Sequence, residues 1–404
     1  MRVVLVTYGS RGDVQPLVAL SIALRSAGHD VLLSGPPERK SWVEGFGVPF
    51  HPLGRNITAF LDSMGNAHSI RSAVRFMKMM RKEFGNQFEQ LRDVLIRADV
   101  AVCSSLAFAL PTVAERLNIP CRYLLFAPQL LPSRFHPFMA FKHQGFPLWY
   151  NRATWSLVHN LNRLDLTRMI NAKRRAWGMP PKRDFWFPSL GPIAIVAADR
   201  AIAPVPPDAE SLGVQTGYLH LDQPGVEDPG LEAFLQSHPR PLYAGFGSMP
   251  GSDQARNVSR IIKAARGADL PAVIGKFWDM PTGFENAEDV YFLKGYPHLK
   301  LFPRMAAVLH HGGAGTTATC AVSGVPQVIV PHVLDQYYWG HRVYKAGLGP
   351  RPVWRKRLSA ERLGRSLRAC LSSKAIQRTA AETARSISPA ASLEQTVRVI
   401  EASR

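Results

Sequence analysis

Cysteine, acidic residues and long apolar runs are all scarce in this chain. Only four cysteines occur in 404 residues, Cys103, Cys121, Cys320 and Cys370. Their wide separation matches neither a disulfide framework nor the paired spacing of a metal site, so they are expected to be reduced packing residues with no metal bound. No apolar stretch approaches the ~20 residues that cross a bilayer, and Gly9 interrupts the apolar start too early for a secretory signal. The expectation is a soluble, cytoplasmic protein. Lys and Arg number 49 against 30 acidic residues, a formal charge of +19. That balance attracts nucleic acid, an anionic membrane or a diphosphate, and its sign alone does not choose among them.

A length of 404 residues with 46% hydrophobic content suits two or three domains and two sizeable cores. The run Val3 to Thr7 reads as a strand, followed by a glycine-containing turn and a helical pattern, Val14, Leu17, Leu20, Ile22 and Leu24, that Gly28 ends. Val31 to Leu33 begins a second strand, so a βαβ unit opens a parallel sheet. Strand candidates recur at Val100 to Val102 and Tyr123 to Phe126, with a helix candidate, Phe108 to Leu117, between them. Residues 203–208 and 220–230 concentrate Pro, Gly and acidic side chains as a linker does. A second series follows: Leu242 to Ala244, Ala272 to Ile274, Val290 to Leu293, Ala307 to Leu309 and Gln327 to Val330. The tail from Leu358 is helical by periodicity, with a break at Ser388 and Pro389.

The most specific feature is Val308-Leu309-His310-His311-Gly312-Gly313-Ala314-Gly315-Thr316-Thr317, with Asp335-Gln336 after the next strand. A strand running into small residues at a helix start presents backbone N–H groups to a phosphate. The His pair adds donors for a diphosphate, and the acid–amide pair suits sugar hydroxyls. Together they imply a nucleotide-sugar site.

This motif resembles the donor signature of GT-B glycosyltransferases of the UDP-glycosyltransferase family (family 1), in the branch of sterol and glycopeptide-antibiotic glycosyltransferases. Thr7-Tyr8-Gly9-Ser10-Arg11-Gly12-Asp13-Val14-Gln15-Pro16, Gly245-Phe246-Gly247-Ser248-Met249-Pro250 and Gly340-His341-Arg342-Val343 carry the same resemblance in the family's order. It implies an α/β fold of two Rossmann-like doubly wound domains facing a central cleft. The expected boundaries are an acceptor domain at 1–203, a linker region at 204–230, a donor domain at 231–388, and a final helix at 389–404 that in the family crosses back onto the first domain.

The resemblance also assigns roles. Asp13, in the loop after the first strand, corresponds to the catalytic base; the local alternative is that it only caps the following helix. His311 would contact the donor phosphate next to the sugar, and His310 would be a packed strand-end residue. Gly313, Ala314, Gly315 and Thr316 would serve the diphosphate, with Ser248 as a further contact. Asp335 and Gln336 would bind sugar hydroxyls, with helix capping as the alternative for Asp335. Tyr296 and Pro297 occupy the nucleobase region, where the Trp of many relatives is absent.

Arg71, Arg75, Lys78, Arg81 and Lys82 interleave with Phe76, Met77, Met79 and Met80, and aromatic residues cluster at 135–155 and 177–187. These fit core with a solvated basic face, or a lipophilic acceptor pocket or membrane-surface patch, better than a nucleic-acid module. The expected activity is inverting, metal-independent transfer from a UDP- or dTDP-sugar, a co-substrate and not a resident cofactor, to a hydroxyl of a lipophilic acceptor such as a sterol or polyketide. Weak peripheral association with an anionic membrane is part of that expectation. The alternatives are a nucleotide-sugar epimerase of the same fold and a non-catalytic auxiliary or membrane-surface binding protein.

Overall fold

The computed structural model describes residues 1–57, 70–164, 166–182, 194–246, 254–275, 284 and 287–403, with backbone only for 70–78, 80, 161–164 and 254. Seven parallel strands form the first sheet: β1 (Arg2–Tyr8), β2 (Asp30–Gly35), β3 (Phe50–Pro52), β4 (Val100–Ser105), β5 (Cys121–Leu125), β6 (Ala194–Val196) and β7 (Gly213–Gln215), in the order β3-β2-β1-β4-β5-β6-β7. The second contains β8 (Leu242–Gly245), β9 (Ala272–Ile274), β10 (Val290–Phe292), β11 (Ala307–His310) and β12 (Gln327–Ile329), ordered β10-β9-β8-β11-β12. Both are doubly wound. Val3 to Val6 of β1 are wholly buried, as expected where helices cover both faces of a parallel sheet.

In such sheets the chain order reverses beside the first strand, and ligands bind outside the strand ends at that reversal. Here the two reversals lie between β1 and β4 and between β8 and β11. The loop carrying Asp13 follows β1, and the loop carrying His311 follows β11. Topology alone therefore brings the two most informative motifs to equivalent positions in the two sheets.

Strands β3, β6 and β7 are not among the candidates of the sequence reading, and the last lies in the region read as a linker. Residues 213–215, assigned there to a linker, pair with β6 in the register Val196↔Gln215 and form the outer strand of the first sheet. Three residues show no periodicity, and the identity of the strand rests on packing instead: a Cβ on Gly213 would stand 2.9 Å from Val196 Cγ2.

The chain ends on the first domain. Helix Pro389–Glu401 is capped by Ser388, whose hydroxyl accepts from the Ala391 N–H. Its Val397 and Ile400 join the apolar cluster of Leu17, Leu20 and Leu24 from helix Arg11–Ser26. Burial of such a side chain contributes about 1.5–3 kcal/mol. Glu401 Oε1 lies 2.9 Å from His29 Nε2, and Thr396 donates to Thr216 at 2.8 Å. Between the sheets, Arg342 Nε donates to the Ile202 carbonyl at 3.1 Å, and Tyr338 and Trp339 share a buried cluster with Ala127 and Leu131. Among the described residues no helix is long and apolar enough to cross a membrane.

Candidate active site between the two sheets

Ser10 caps helix Arg11–Ser26, and Asp13 is the reciprocal partner in a capping box. Asp13 Oδ2 accepts from the Ser10 backbone N–H at 2.7 Å and from the Ser10 hydroxyl at 2.9 Å. Its Oδ1 accepts from the Ser105 hydroxyl at 2.6 Å. A carboxylate offers about four acceptor positions, so one remains on Oδ1. Capping and proton acceptance are compatible in this geometry, and the cap fixes the carboxylate in place.

Ser105 was missed by the sequence reading. It ends β4 with φ 53°, in the left-handed region, and its carbonyl accepts from Tyr123 Oη at 3.0 Å. Such a conformation costs a non-glycine residue about 1–3 kcal/mol and persists where surrounding contacts hold it. Here it directs a hydroxyl at Asp13. The end of the strand paired with β1 was the signal that could have revealed it.

On the second sheet, His310 is wholly buried. Its Nδ1 accepts from the Gly312 N–H at 3.1 Å, which leaves Nε2–H to donate to Gln327 Oε1 at 3.0 Å. The Gln327 amide donates in turn to the Thr317 carbonyl at 3.2 Å. His310 thus ties β11 to the loop and helix that follow. Gly312 has φ +88°, and a Cβ there would stand 2.8 Å from Ile329 Cγ2 and 3.0 Å from the Gln336 carbonyl. Only glycine fits that turn without displacing neighbours.

Gly313 is the N-cap of helix Ala314–Val322 and makes no side-chain cap bond. The Thr317 N–H closes the first turn onto the Gly313 carbonyl at 3.0 Å. Ala314, Gly315 and Thr316 therefore hold the N–H groups that precede the helical ladder. His311 packs its ring over Gly313, where a Cβ would come 2.5 Å from Nε2. Among the described residues its buried Nδ1 has no hydrogen-bond partner. An imidazole nitrogen of this kind beside the N–H groups of a helix start is chemically suited to an anion.

Asp335 occupies the N-cap position of helix Gln336–Lys345, yet its side chain makes no cap bond. Burial, reinforced by the Asp13 carboxylate, pushes its pKa up to about 7. The two acids therefore face one another electrostatically across the domains. Leu334, immediately before it, is held at φ 48°. Gln336 Oε1 accepts from the His332 and Val333 N–H groups at 2.8 and 3.1 Å, so this amide shapes the loop in which Asp335 stands. Ser248 lies outside the described residues. Pro297 precedes the short helix His298–Leu301, and Tyr296 is drawn to Arg304, which also forms a bidentate pair with Glu232 at 2.7 and 2.9 Å. Among the described residues no group of three or more His, Cys, Asp or Glu side chains is arranged to hold a metal ion.

Burial leaves a pH signature. His136, His220, His298, His311 and His341 are pushed down to about 4, and His310 to about 3. Unfolding returns them to about 6.5, so the unfolded chain binds the extra protons and stability falls as pH drops from 6.5 towards 4. Asp335 at about 7 and Asp199 at about 6 act oppositely, favouring the folded state less as pH rises from 3.8 through those values. With six histidines against two acids, thermal melts at constant ionic strength should show a falling midpoint between pH 6.5 and 4. A flat or rising midpoint would contradict neutral buried imidazoles.

Comparison with known proteins identifies the family. Residues 3–130 match the glycosyltransferase family 28 N-terminal domain, and residues 286–400 match the erythromycin biosynthesis protein CIII-like C-terminal domain. Vancomycin aglycone glucosyltransferase of Amycolatopsis orientalis is 32% identical over 360 residues, covering 86% of this chain and 85% of that protein. Sterol 3-beta-glucosyltransferase UGT80B1 of Arabidopsis thaliana is 30% identical over 399 residues, 91% of this chain and 62% of the plant protein. Among solved structures, the glycosyltransferase of kitacinnamycin superposes with a TM-score of 0.76 at 19% identity, over 100% of this chain and 98% of that one. VinC in complex with dTDP gives 0.66 at 19% identity, over 99% and 100%. The chain belongs to the family 1 GT-B glycosyltransferases and is a glycosyltransferase.

Proposed function

We propose that this enzyme transfers a sugar, with inversion, from a UDP- or dTDP-linked donor to a hydroxyl on a lipophilic acceptor of the sterol, polyketide or natural-product aglycone class. The observation that carries the reading is the placement of Asp13 on one sheet against Asp335 and the open helix start on the other. In the proposed step Asp13 takes the acceptor proton as the acceptor oxygen attacks the anomeric carbon. The bond from that carbon to the diphosphate breaks, and its electron pair leaves with the diphosphate. The N–H groups at 314–316 and His311 receive the charge that develops there. Asp335 holds sugar hydroxyls.

The acceptor class is supported by the first domain. Phe138 meets Trp155 edge-on at 5.2 Å, Phe146 lies 4.3 Å from Tyr150, and His136 contacts Tyr338 of the second domain at 5.7 Å. Phe135, Leu148, Trp149 and Leu157 are exposed beside them, and Trp149 is 72% exposed. Exposed apolar side chains in the same stretch of chain as an aromatic cluster suit a hydrophobic ring system better than a small polar sugar.

Mass spectrometry of donor consumption against a panel of hydrophobic aglycones tests the reading, with product stereochemistry by NMR. An α-linked donor should yield a β-glycoside. Release of free nucleotide without any glycoside would support the epimerase alternative, and a retained α-linkage would refute single displacement. Turnover should also survive EDTA, because the protein supplies the leaving-group stabilisation itself. Loss of activity on chelation, restored by magnesium or manganese, would overturn that assignment.

A further inference from the structure

Tyr218 stands outside every motif, in the segment that joins the two sheets, yet its side chain reaches the phosphate-binding loop. The residue is 5% exposed. Its backbone is held firmly: the Tyr218 N–H donates to Asp199 Oδ1 at 3.1 Å, and the preceding Gly217 has φ +90° with Ser392 of the C-terminal helix packed against it. The ring stands edge-on to His220 at 5.0 Å. These contacts fix where the phenol points.

The Tyr218 hydroxyl lies over Gly315, only 2.6 Å from where a Cβ on that residue would stand. Gly315 is in the first turn of helix Ala314–Val322, among the N–H groups that have no intrahelical acceptor. Burial, then the Asp13 carboxylate and then Asp199, drives the pKa of this phenol upward. The group therefore stays protonated and can only donate to an anion at neutral pH. It has no hydrogen-bond partner among the described residues. An O–H donor without a partner among the described residues, over Gly315 of the phosphate loop and within the field of Asp13, is available to an anion bound at that helix start.

We propose that the Tyr218 hydroxyl donates a hydrogen bond to the donor phosphate adjacent to the sugar, making the interdomain segment part of the leaving-group site. This rests on the nucleotide-sugar reading of the loop. No covalent step is involved; the phenol keeps its proton and the bond shortens as negative charge grows on the departing phosphate. Because Tyr218 is anchored to Asp199 and the C-terminal helix, the contact would also tie donor binding to the relative position of the two domains.

The test is Tyr218→Phe, which removes one unpaired oxygen and keeps the packed ring. Calorimetric titration with UDP and dTDP, and separately with UMP and dTMP, should show diphosphate affinity reduced by about tenfold or more, the scale of a hydrogen bond to a charged group. Monophosphate affinity should be unchanged, and kcat should fall with little change in acceptor KM. Equal diphosphate affinity in the two proteins would overturn the proposal, as would equal losses for diphosphate and monophosphate, which indicate a structural effect. Gly315→Ala, which pushes the phenol away from the loop, supplies a second variant and should reproduce the selective diphosphate loss. If the parent protein binds neither nucleotide, the donor-site reading itself fails, a result separate from failure of the Tyr218 contact.

Discussion

Replacing Asp13 by Asn should lower turnover by roughly 100-fold or more, the usual contribution of a positioned general base, while nucleotide affinity stays near that of the parent. The amide oxygen can still accept from the Ser10 N–H, so the helix cap is largely preserved. It cannot take a proton. A Ser105→Ala companion keeps the carboxylate and removes one of its anchors, and it should cause a smaller loss of kcat. The charge of Asp13 also raises the Asp335 pKa, so in the Asn variant Asp335 should ionise below its present value of about 7. Chemical-shift titration of a carboxyl-labelled protein reads that displacement directly. Near-normal turnover in a folded Asn variant would reduce Asp13 to a capping residue.

The two views of Asp13 show how far sequence reaches. A Ser and an Asp three residues apart before a helical pattern announce a capping box, and an acid after the first strand of a doubly wound sheet announces a cleft position. Both descriptions were legible, and the structure joins them through one carboxylate with different partners on its two oxygens. β1, β2, β4 and β5 and all five strands of the second sheet were legible for the same kind of reason: buried parallel strands are short runs of Val, Ile, Leu and Ala bounded by glycine or polar residues. β3, β6 and β7 were not read from the sequence; β7 is Gly-Val-Gln, with no apolar run to mark it. Ser105 and Tyr218 were hidden because their importance comes from backbone direction, a left-handed φ in one and an anchored crossing in the other. Gln336 was legible as a polar residue in the right loop, but its carbonyl is taken by two backbone N–H groups that no spacing argument could identify.

His310 and His311 are adjacent in sequence and opposite in surroundings, so their alanine variants should separate binding from stability. His310 is wholly buried and both its nitrogens are paired. Removing it leaves Gln327 Oε1 and the Gly312 N–H without their partner, at a cost of about 1–3 kcal/mol for each buried group. Its main effect should be a lowered melting temperature. His311 has a buried Nδ1 with no partner among the described residues, so its removal relieves an unmet hydrogen bond and costs the fold little. Its loss should instead weaken UDP or dTDP binding by about ten- to a hundredfold, the range for a hydrogen bond to a charged group, and slow transfer in parallel. Burial keeps His311 neutral above about pH 4, so its contact with phosphate depends on one N–H donor and not on a full positive charge. The affinity it contributes should therefore depend little on salt between moderate and high ionic strength. Calorimetry paired with thermal melts on both variants decides the matter. Unchanged nucleotide affinity in a folded His311→Ala protein would remove His311 from the phosphate site, and a His310→Ala protein with an unaltered melting temperature would refute its part in holding the loop.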